Sequence, residues 1–144
     1  MSWTNLENKV VVVTGGAAGI GLAVVKGLVE VGAQVMIADF SEEAGFRAVD
    51  EAHSDGSGQA DFYKCDVTSK KDVDALIEAT VQKWGTVDAL VNNAGINVPR
   101  LLVDPAGKEE LTEEIWDKVF AVNVKGQFLC AQAAARQMLS LIHI

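Results

Sequence analysis

Four consecutive valines, followed by Thr14 and then by two glycines, are the feature of this sequence that most restricts its fold. Residues 9–14 are apolar and β-branched almost throughout, which is typical of a strand buried on both faces of a parallel sheet. Gly15 ends this strand, and apolar residues then recur at intervals of three and four over residues 20–31. That spacing predicts a helix, with Gly32 as its C-terminal stop. A buried strand that turns sharply into a helix is typical of an α/β sheet.

The same alternation of strand and helix continues along the chain. Further strands are predicted at 34–39, 59–67 and 87–91, and further helices at 41–53, 69–84 and 112–138. Ser69 with Asp72 resembles a capping box, and a loop is predicted at 54–58. Strands alternating with helices predict a doubly wound parallel sheet, the Rossmann type of α/β fold, with right-handed crossovers. Ligands of such sheets bind beyond the carboxyl ends of the strands.

Composition limits the classes of function. At 144 residues the chain has room for one domain, and with 49% hydrophobic and 22% charged residues it can build a core. Twelve Lys and Arg against 20 Asp and Glu give a net charge of −8, which repels nucleic acid and anionic lipid alike. We therefore expect neither a nucleic-acid nor a membrane partner. The first residues contain no apolar leader segment, so a cytoplasmic protein is expected.

Disulfide and metal chemistry are not expected. Cys65 and Cys130 lie 65 positions apart without a Cys-x-x-Cys spacing, so reduced thiols are predicted. His53 and His143 have no ligand-like neighbours in the sequence. We therefore predict no metal site.

The turn after the first strand has the composition of a phosphate-binding loop. Gly15, Gly19 and Gly21 follow one another in the order G-x-x-x-G-x-G, with Ile20 between the last two. Glycine allows a tight turn and close approach to a pyrophosphate, and the free amides of the following helix face the anion. A tight turn without a ligand remains the alternative for this spacing alone. No Lys-Ser or Lys-Thr pair follows the glycines, which excludes a Walker loop.

Asp39 favours a dinucleotide. It lies 18 positions after Gly21, at the end of the second predicted strand, where a carboxylate can accept both hydroxyls of an adenosine ribose. The alternative is an acid that caps the next helix, a role that Ser41 fills equally well. Asp39 would repel a 2′-phosphate, and its neighbours supply no arginine to neutralise one. NAD is therefore predicted over NADP.

These residues, with three later motifs, resemble the short-chain dehydrogenase/reductase family. The later motifs are Asp66-Val67 after the third strand, Asn92-Asn-Ala-Gly95 after the fourth, and Asn123 in Val-Asn-Val-Lys-Gly126. The match covers residues 6–138 in family order. The resemblance implies a strand order of 3-2-1-4, an NAD-dependent oxidation of a secondary alcohol, a small-molecule alcohol or ketone as partner, and a homo-oligomeric parent protein.

The resemblance also implies a role for each motif residue. Asp66 would bond the adenine amino group, and Val67 would line the adenine pocket. Asn93, Ala94 and Gly95 would run beside the adenosine ribose. Asn123 would bend its helix and hold a water of the proton relay, so it is the predicted catalytic residue; an asparagine that merely faces solvent is the alternative.

The chemistry of that family also needs a serine and a Tyr-x-x-x-Lys pair on a fifth strand and the helix that follows it, and neither is found in this sequence. The single tyrosine, Tyr63, is followed four positions later by Val67. Without a phenol beside a lysine the hydroxyl proton has no acceptor, so the chain as given is expected to be inactive. Residues 1–138 are then the cofactor-binding part of a dehydrogenase. A non-catalytic module that senses NAD is the alternative.

The last residues, Leu139 to Ile144, equal the translation of a transposon-end oligonucleotide used in sequencing libraries. We therefore expect 139–144 to be a non-native tail that follows a fragment; a natural tail is the alternative.

The segment 96–108 is longer than the usual family connection and is expected to border the substrate pocket. Arg100 is a candidate for pairing with a sugar phosphate, with Lys108 adding a charge. Ordinary basic residues on a loop are an equally good explanation. A polyol or sugar-alcohol phosphate is the predicted substrate.

Overall fold

Four short, largely apolar segments pair in parallel to form one sheet. They are β1 (Val10–Thr14), β2 (Gln34–Asp39), β3 (Gln59–Lys64) and β4 (Ala89–Val91). The computed structural model describes residues 4–53 and 57–140 and gives the strand order β3-β2-β1-β4. The predicted fold class and strand order are therefore confirmed. Residues 54–56 of the predicted loop and residues 141–144 of the expected tail lie outside the described residues.

The helices are α1 (Gly19–Glu30), α2 (Glu42–Ala52), α3 (Lys70–Trp84), α4 (Glu113–Phe120) and α5 (Gly126–Ser140). Between α4 and α5 the chain forms a π-helical segment, Ala121–Lys125. Side chains of Ser41, Ser69 and Thr112 cap the starts of α2, α3 and α4. Among the described residues no helix is long and apolar enough to cross a membrane.

Two predicted strand boundaries are wrong, and one predicted helix is not regular throughout. β3 ends at Lys64, not residue 67, because the Asp66 side chain accepts a hydrogen bond from the Thr68 amide and turns the chain. β4 begins at Ala89 because the Asp88 carboxylate is bonded to the Val10 amide at 2.8 Å. The helix predicted over 112–138 is continuous but contains the π-helical segment, which hydrophobic spacing did not indicate.

The predicted capping box at Ser69 and Asp72 is only half formed. The Ser69 hydroxyl accepts from the Asp72 amide at 3.2 Å, as expected. The Asp72 carboxylate, however, accepts from the Asp66 amide at 3.2 Å and from the Ser69 hydroxyl, while the Ser69 amide donates to the Asp66 carbonyl. Asp72 thus fixes the turn after β3 instead of closing the box.

The valines of β1 are buried on both faces of the sheet. Val12 belongs to a cluster with residues of α3 and α5, whereas Val11 and Val13 belong to a cluster with residues of α1 and α2. Alternation along the strand sends successive side chains to opposite faces, so an uninterrupted valine run supplies both cores. This explains why the segment shows no polar alternation.

Two helical glycines form a matched pair for a stability test. A Cβ added to Gly27 in α1 would meet nothing within 4 Å, whereas one added to Gly45 in α2 would lie 2.1 Å from a Phe62 ring carbon. We expect Gly27→Ala to raise the free energy of unfolding by roughly 0.5–1 kcal/mol, because alanine loses less conformational freedom. Gly45→Ala should lower it by about 1–3 kcal/mol through overpacking. Urea denaturation measures both, and shifts of the same sign would contradict the packing described.

Candidate functional site

The glycine loop between β1 and α1 has the geometry of an anion-binding turn. Gly15 and Gly19 have backbone φ angles of +63° and +55°, values that residues other than glycine rarely adopt. A Cβ on Gly21 would lie 2.1 Å from the Gly15 carbonyl oxygen, so the loop packs too tightly for any side chain there. Ala18, the N-cap of α1, makes no side-chain capping bond. The first-turn amides therefore lack the usual protein cap and can face a ligand.

Asn93 fixes this loop to the segment that follows β4. Its side-chain amide donates to the carbonyl oxygens of Thr14 at 3.1 Å and Gly15 at 3.0 Å. The Thr14 hydroxyl in turn accepts from the backbone amides of Asn93 and Ala94, both at 3.1 Å. The resemblance implies that Asn93 lies beside the ribose. In the structure its side-chain amide donates hydrogen bonds to the end of β1 and the start of the glycine loop. The carboxyl ends of β1 and β4 are thereby joined.

Asp39 lies where β2 ends and contacts the glycine loop. One carboxylate oxygen accepts from the Ala17 amide at 3.2 Å and the other from the Ser41 amide at 3.1 Å. The Ser41 hydroxyl caps α2 by accepting from the Ala44 amide at 3.3 Å. The helix cap is therefore Ser41, which leaves the lone pairs of the Asp39 carboxylate not used by these two amides facing the site.

Asp66 is held in a fixed orientation after β3. Its Oδ1 accepts from both the amide and the hydroxyl of Thr68, at 2.9 and 2.7 Å. The next residue, Val67, packs against the start of α5, because a Cβ on Gly126 would lie 2.8 Å from a Val67 methyl carbon. The segment after β3 thus contacts the helix that closes the other side of the site.

A cleft of about 570 Å³ opens at the carboxyl ends of the strands. Six of the predicted site residues line it: Gly15, Asp39, Asp66, Val67, Ala94 and Gly95. The other predicted residues, Gly19, Ile20, Gly21, Asn93 and Asn123, are not part of its lining. Sequence reasoning missed the remaining lining residues, which are Ala38, Phe40, Cys65, Thr68, Ile96, Lys118, Ala121 and Val122. Most of these are ordinary apolar residues without a distinguishing signal. Phe40 directly follows β2, and Ile96 begins the segment 96–108, which the sequence analysis places at the border of the substrate pocket.

Asn123 joins the π-helical segment to the chain after β4. Its Oδ1 accepts from the Ile96 amide and its Nδ2 donates to the Ile96 carbonyl, both at 2.8 Å. The alternative of an asparagine that merely faces solvent is therefore wrong. The side chain holds Ile96, which lines the cleft, in place. The geometry gives Asn123 a positioning role.

The predicted substrate-binding residues Arg100 and Lys108 are not among the residues that line the cleft. Arg100 is exposed and donates to the Pro99 carbonyl at 2.8 Å. The loop that carries it is ordered by Asp104, and backbone hydrogen bonds from Glu109, Ala106 and Lys108 hold the pKa of that carboxyl below its usual value. Within 4–53 and 57–140 no group of three or more potential ligands is arranged to hold a metal ion.

Both cysteines are free, buried thiols. Burial raises the pKa of Cys65 to about 12 and that of Cys130 to about 11. The thiolate is the nucleophile, so neither cysteine is reactive near neutral pH. Cys65 lines the cleft as an apolar wall residue.

A doubly wound sheet with a glycine loop at β1 and an acidic residue after β2 defines a dinucleotide-binding fold. The family model for short chain dehydrogenases matches residues 9–142, and the chain belongs to that family.

Individual relatives agree with this assignment. The chain is 45% identical to sorbitol-6-phosphate 2-dehydrogenase of Klebsiella pneumoniae over 140 residues, covering 95% of this chain and 49% of that protein. It is 40% identical to short-chain dehydrogenase reductase 3a of Arabidopsis thaliana, covering 96% and 51%. The chain thus spans about half the length of the curated relatives it matches.

Solved structures share the fold. A short chain dehydrogenase from Mycobacterium smegmatis superposes with a TM-score of 0.87 at 37% identity, covering 96% of this chain and 55% of that one. An NAD⁺-bound xylitol dehydrogenase superposes with a TM-score of 0.84 at 31% identity, covering 94% and 50%.

The two bonds from Asn123 to Ile96 can be tested by substitution. We expect Asn123→Ala to lower the free energy of unfolding by about 1–3 kcal/mol, because it leaves a half-buried amide and carbonyl unpaired. The matched control is Asn92→Ala, which removes one exposed bond of 3.4 Å to Gln127 and should change stability by less than about 0.5 kcal/mol. Chemical denaturation measures both; equal losses would contradict the positioning role of Asn123.

Proposed function

We propose that this chain is the cofactor-binding part of an NAD-dependent dehydrogenase that oxidises a secondary alcohol. The observation that carries the proposal is the cleft at the carboxyl ends of the strands, where the glycine loop, Asp39 and Asp66 meet. A pyrophosphate fits the loop because the positive φ values of Gly15 and Gly19 turn the chain tightly, and the first amides of α1 have no side-chain cap. When bound, NAD supplies the hydride acceptor.

The preference for NAD over NADP rests on Asp39. Its carboxylate is held by the Ala17 and Ser41 amides, and its remaining lone pairs accept the two ribose hydroxyls. A 2′-phosphate at the same position would meet a negative charge, and no arginine is among the residues that line the cleft. Farther along the cleft, Asp66 would hold the adenine amino group and Val67 would line the adenine pocket. Asn93, Ala94 and Gly95 run beside the ribose, and Gly19 and Ile20 extend the loop around the phosphates.

The proton chemistry is divided between this chain and residues it does not contain. We assign Asn123 the relay role expected of it: through its two bonds to Ile96 it fixes the helix so that a water can be held there. No Tyr-x-x-x-Lys pair occurs in these 144 residues, so nothing here accepts the hydroxyl proton. The chain alone is therefore inactive under this proposal. The lack of a Tyr-x-x-x-Lys pair in this sequence also favours a second candidate function, a non-catalytic module that senses NAD.

A polyol or sugar-alcohol phosphate is the proposed substrate. Support comes from the 45% identity to a sorbitol-6-phosphate dehydrogenase and from the structural likeness to a xylitol dehydrogenase. Arg100 is exposed on the loop ordered by Asp104 and is available to a phosphate if it releases the Pro99 carbonyl. We propose a cytoplasmic enzyme, in keeping with the acidic charge and the free cysteines.

The cofactor assignment is tested by calorimetric titration with NAD and NADP. The wild-type protein should bind NAD at least about tenfold more tightly, a difference of about 1.4 kcal/mol. Asp39→Ser should weaken the binding of NAD and reduce the difference in affinity between NAD and NADP. The substitution removes the acceptor for the ribose hydroxyls and the charge that repels a 2′-phosphate. The control Ser41→Ala removes only the α2 cap and should leave the preference unchanged. Tighter binding of NADP by the wild-type protein would refute the assignment of Asp39.

Assembly into a homo-oligomer is proposed through the helical face that carries Trp116, Phe120, Val124 and Phe128. These side chains recur every fourth residue and are 46–56% exposed, and the Trp116 and Phe120 rings stack with centroids 4.6 Å apart. Such a continuous apolar stripe is unusual on a free surface. Phe120, Val124 and Phe128 of this stripe line a shallow groove, and Asp117 and Lys125 line the same groove. An antiparallel second copy would bring each of them opposite the other's unlike charge.

Substituting the centre of that stripe tests the assembly. Phe120→Glu should convert the oligomer to a monomer, because two charges would face each other in an apolar interface. Leu102→Glu is the control: Leu102 is 82% exposed on the loop after β4, away from the stripe. Light scattering after size-exclusion chromatography gives the mass of each variant. A monomeric wild-type protein, or an oligomer that survives Phe120→Glu, would refute this interface.

A further inference from the structure

Lys118 is the one cation among the residues that line the cleft, and no family motif includes it. The other ionisable residues with acidic or basic side chains in the lining are the carboxylates Asp39 and Asp66. Lys118 belongs to α4 and Val122 to the π-helical segment that follows it, and both line the cleft. A charge on an exposed helix usually faces solvent only. Here the same side chain borders a cavity of about 570 Å³.

The position of Lys118 relates it to the adenine end of the cleft. Residues 118, 122 and 126 follow at intervals of four, and Gly126 is the residue that packs against Val67. Val67 in turn follows Asp66, which is proposed to bind the adenine amino group. Lys118 therefore lines the same cleft as Asp66 and Val67. Its four-carbon stem is long enough to extend along the rim past Val122.

In the described part of the chain, the ammonium of Lys118 forms no ion pair with the carboxylates that line the cleft. Asp39 is bonded to the backbone at Ala17 and Ser41, and Asp66 to Thr68. The ion pairs formed within the described ranges do not include Lys118. Its charge is therefore available to a ligand.

We propose that Lys118 is a cofactor-binding residue whose ammonium contacts the adenine ring of the bound dinucleotide. This inference rests on the proposed NAD binding. Adenine presents an electron-rich face and ring nitrogens that accept hydrogen bonds, and both attract a cation. Asp66 holds the amino group from the segment after β3, while Lys118 holds the ring from the helix. Asp66, which follows β3, and Lys118, in α4, would thus contact the base from two different elements of the fold.

Substitution by methionine isolates the charge. Lys118→Met keeps a long apolar side chain but removes the ammonium, and we expect it to weaken NAD, AMP and adenosine alike by roughly fivefold to tenfold. Lys118→Arg keeps a cation that stacks on aromatic rings and should restore most of the affinity. Lys26→Met changes the net charge equally in α1, where Lys26 pairs with Glu51 outside the cleft, and should have no effect.

Titration of the purified protein with these three ligands, by calorimetry for NAD and by NMR for AMP and adenosine, separates the outcomes. Unchanged affinity of Lys118→Met for adenosine would overturn the contact with adenine, even if NAD and AMP were weakened by loss of a remote charge. A wild-type protein that binds adenosine but not NAD refutes the proposed function and leaves the Lys118 contact measurable. A wild-type protein that binds none of the three overturns both.

Discussion

The structure depends on the joint between the carboxyl ends of β1 and β4. Where the valine strand β1 ends, the Asn93 side chain donates to the carbonyl oxygens of Thr14 and Gly15. A buried carbonyl without a donor would cost about 1–3 kcal/mol, so this carboxamide stabilises the turn from β1 into the glycine loop. Gly15 of that loop lines the cleft, and the loop leads into α1. An asparagine first considered as a ligand contact is therefore also the structural basis of the site.

Much of the fold could be predicted because its signals are local. β2 was predicted at the residues it occupies, since Gly32 precedes it and the Ser41 cap follows it. The end of β3 could not be predicted, because it is set by side-chain hydrogen bonds of the turn that follows: the Thr68 amide donates to the Asp66 carboxylate, and the Asp66 amide donates to the Asp72 carboxylate. The π-helical segment was hidden for a different reason. Apolar spacing reports the mean period of a helix and not one inserted residue.

The site was predictable only where the chemistry demands a particular residue type. Gly15 and Gly21 must lack a side chain, and Asp66 must carry a fixed carboxylate, so each leaves a mark in the sequence. Val122 and Ile96 contribute surface that many apolar residues would supply, and no pattern distinguishes them from the core. Lys118 escaped notice because a lysine on a polar helix face carries no signal until the cleft beside it is known.

The π-helical segment connects this site to the rest of the helix. Successive residues of an α-helix are rotated by about 100°, so one inserted residue turns every following side chain by about that angle. At Asn123 this rotation directs the carboxamide at both backbone groups of Ile96, while the residues of α5 beyond it still face α3. Asn93 holds the start of the segment 93–96 and Asn123 holds its end. The π-helical segment thus carries both the Asn123 bonds to Ile96 and two residues of the cleft lining, Ala121 and Val122, and it leads into α5, which packs in the core.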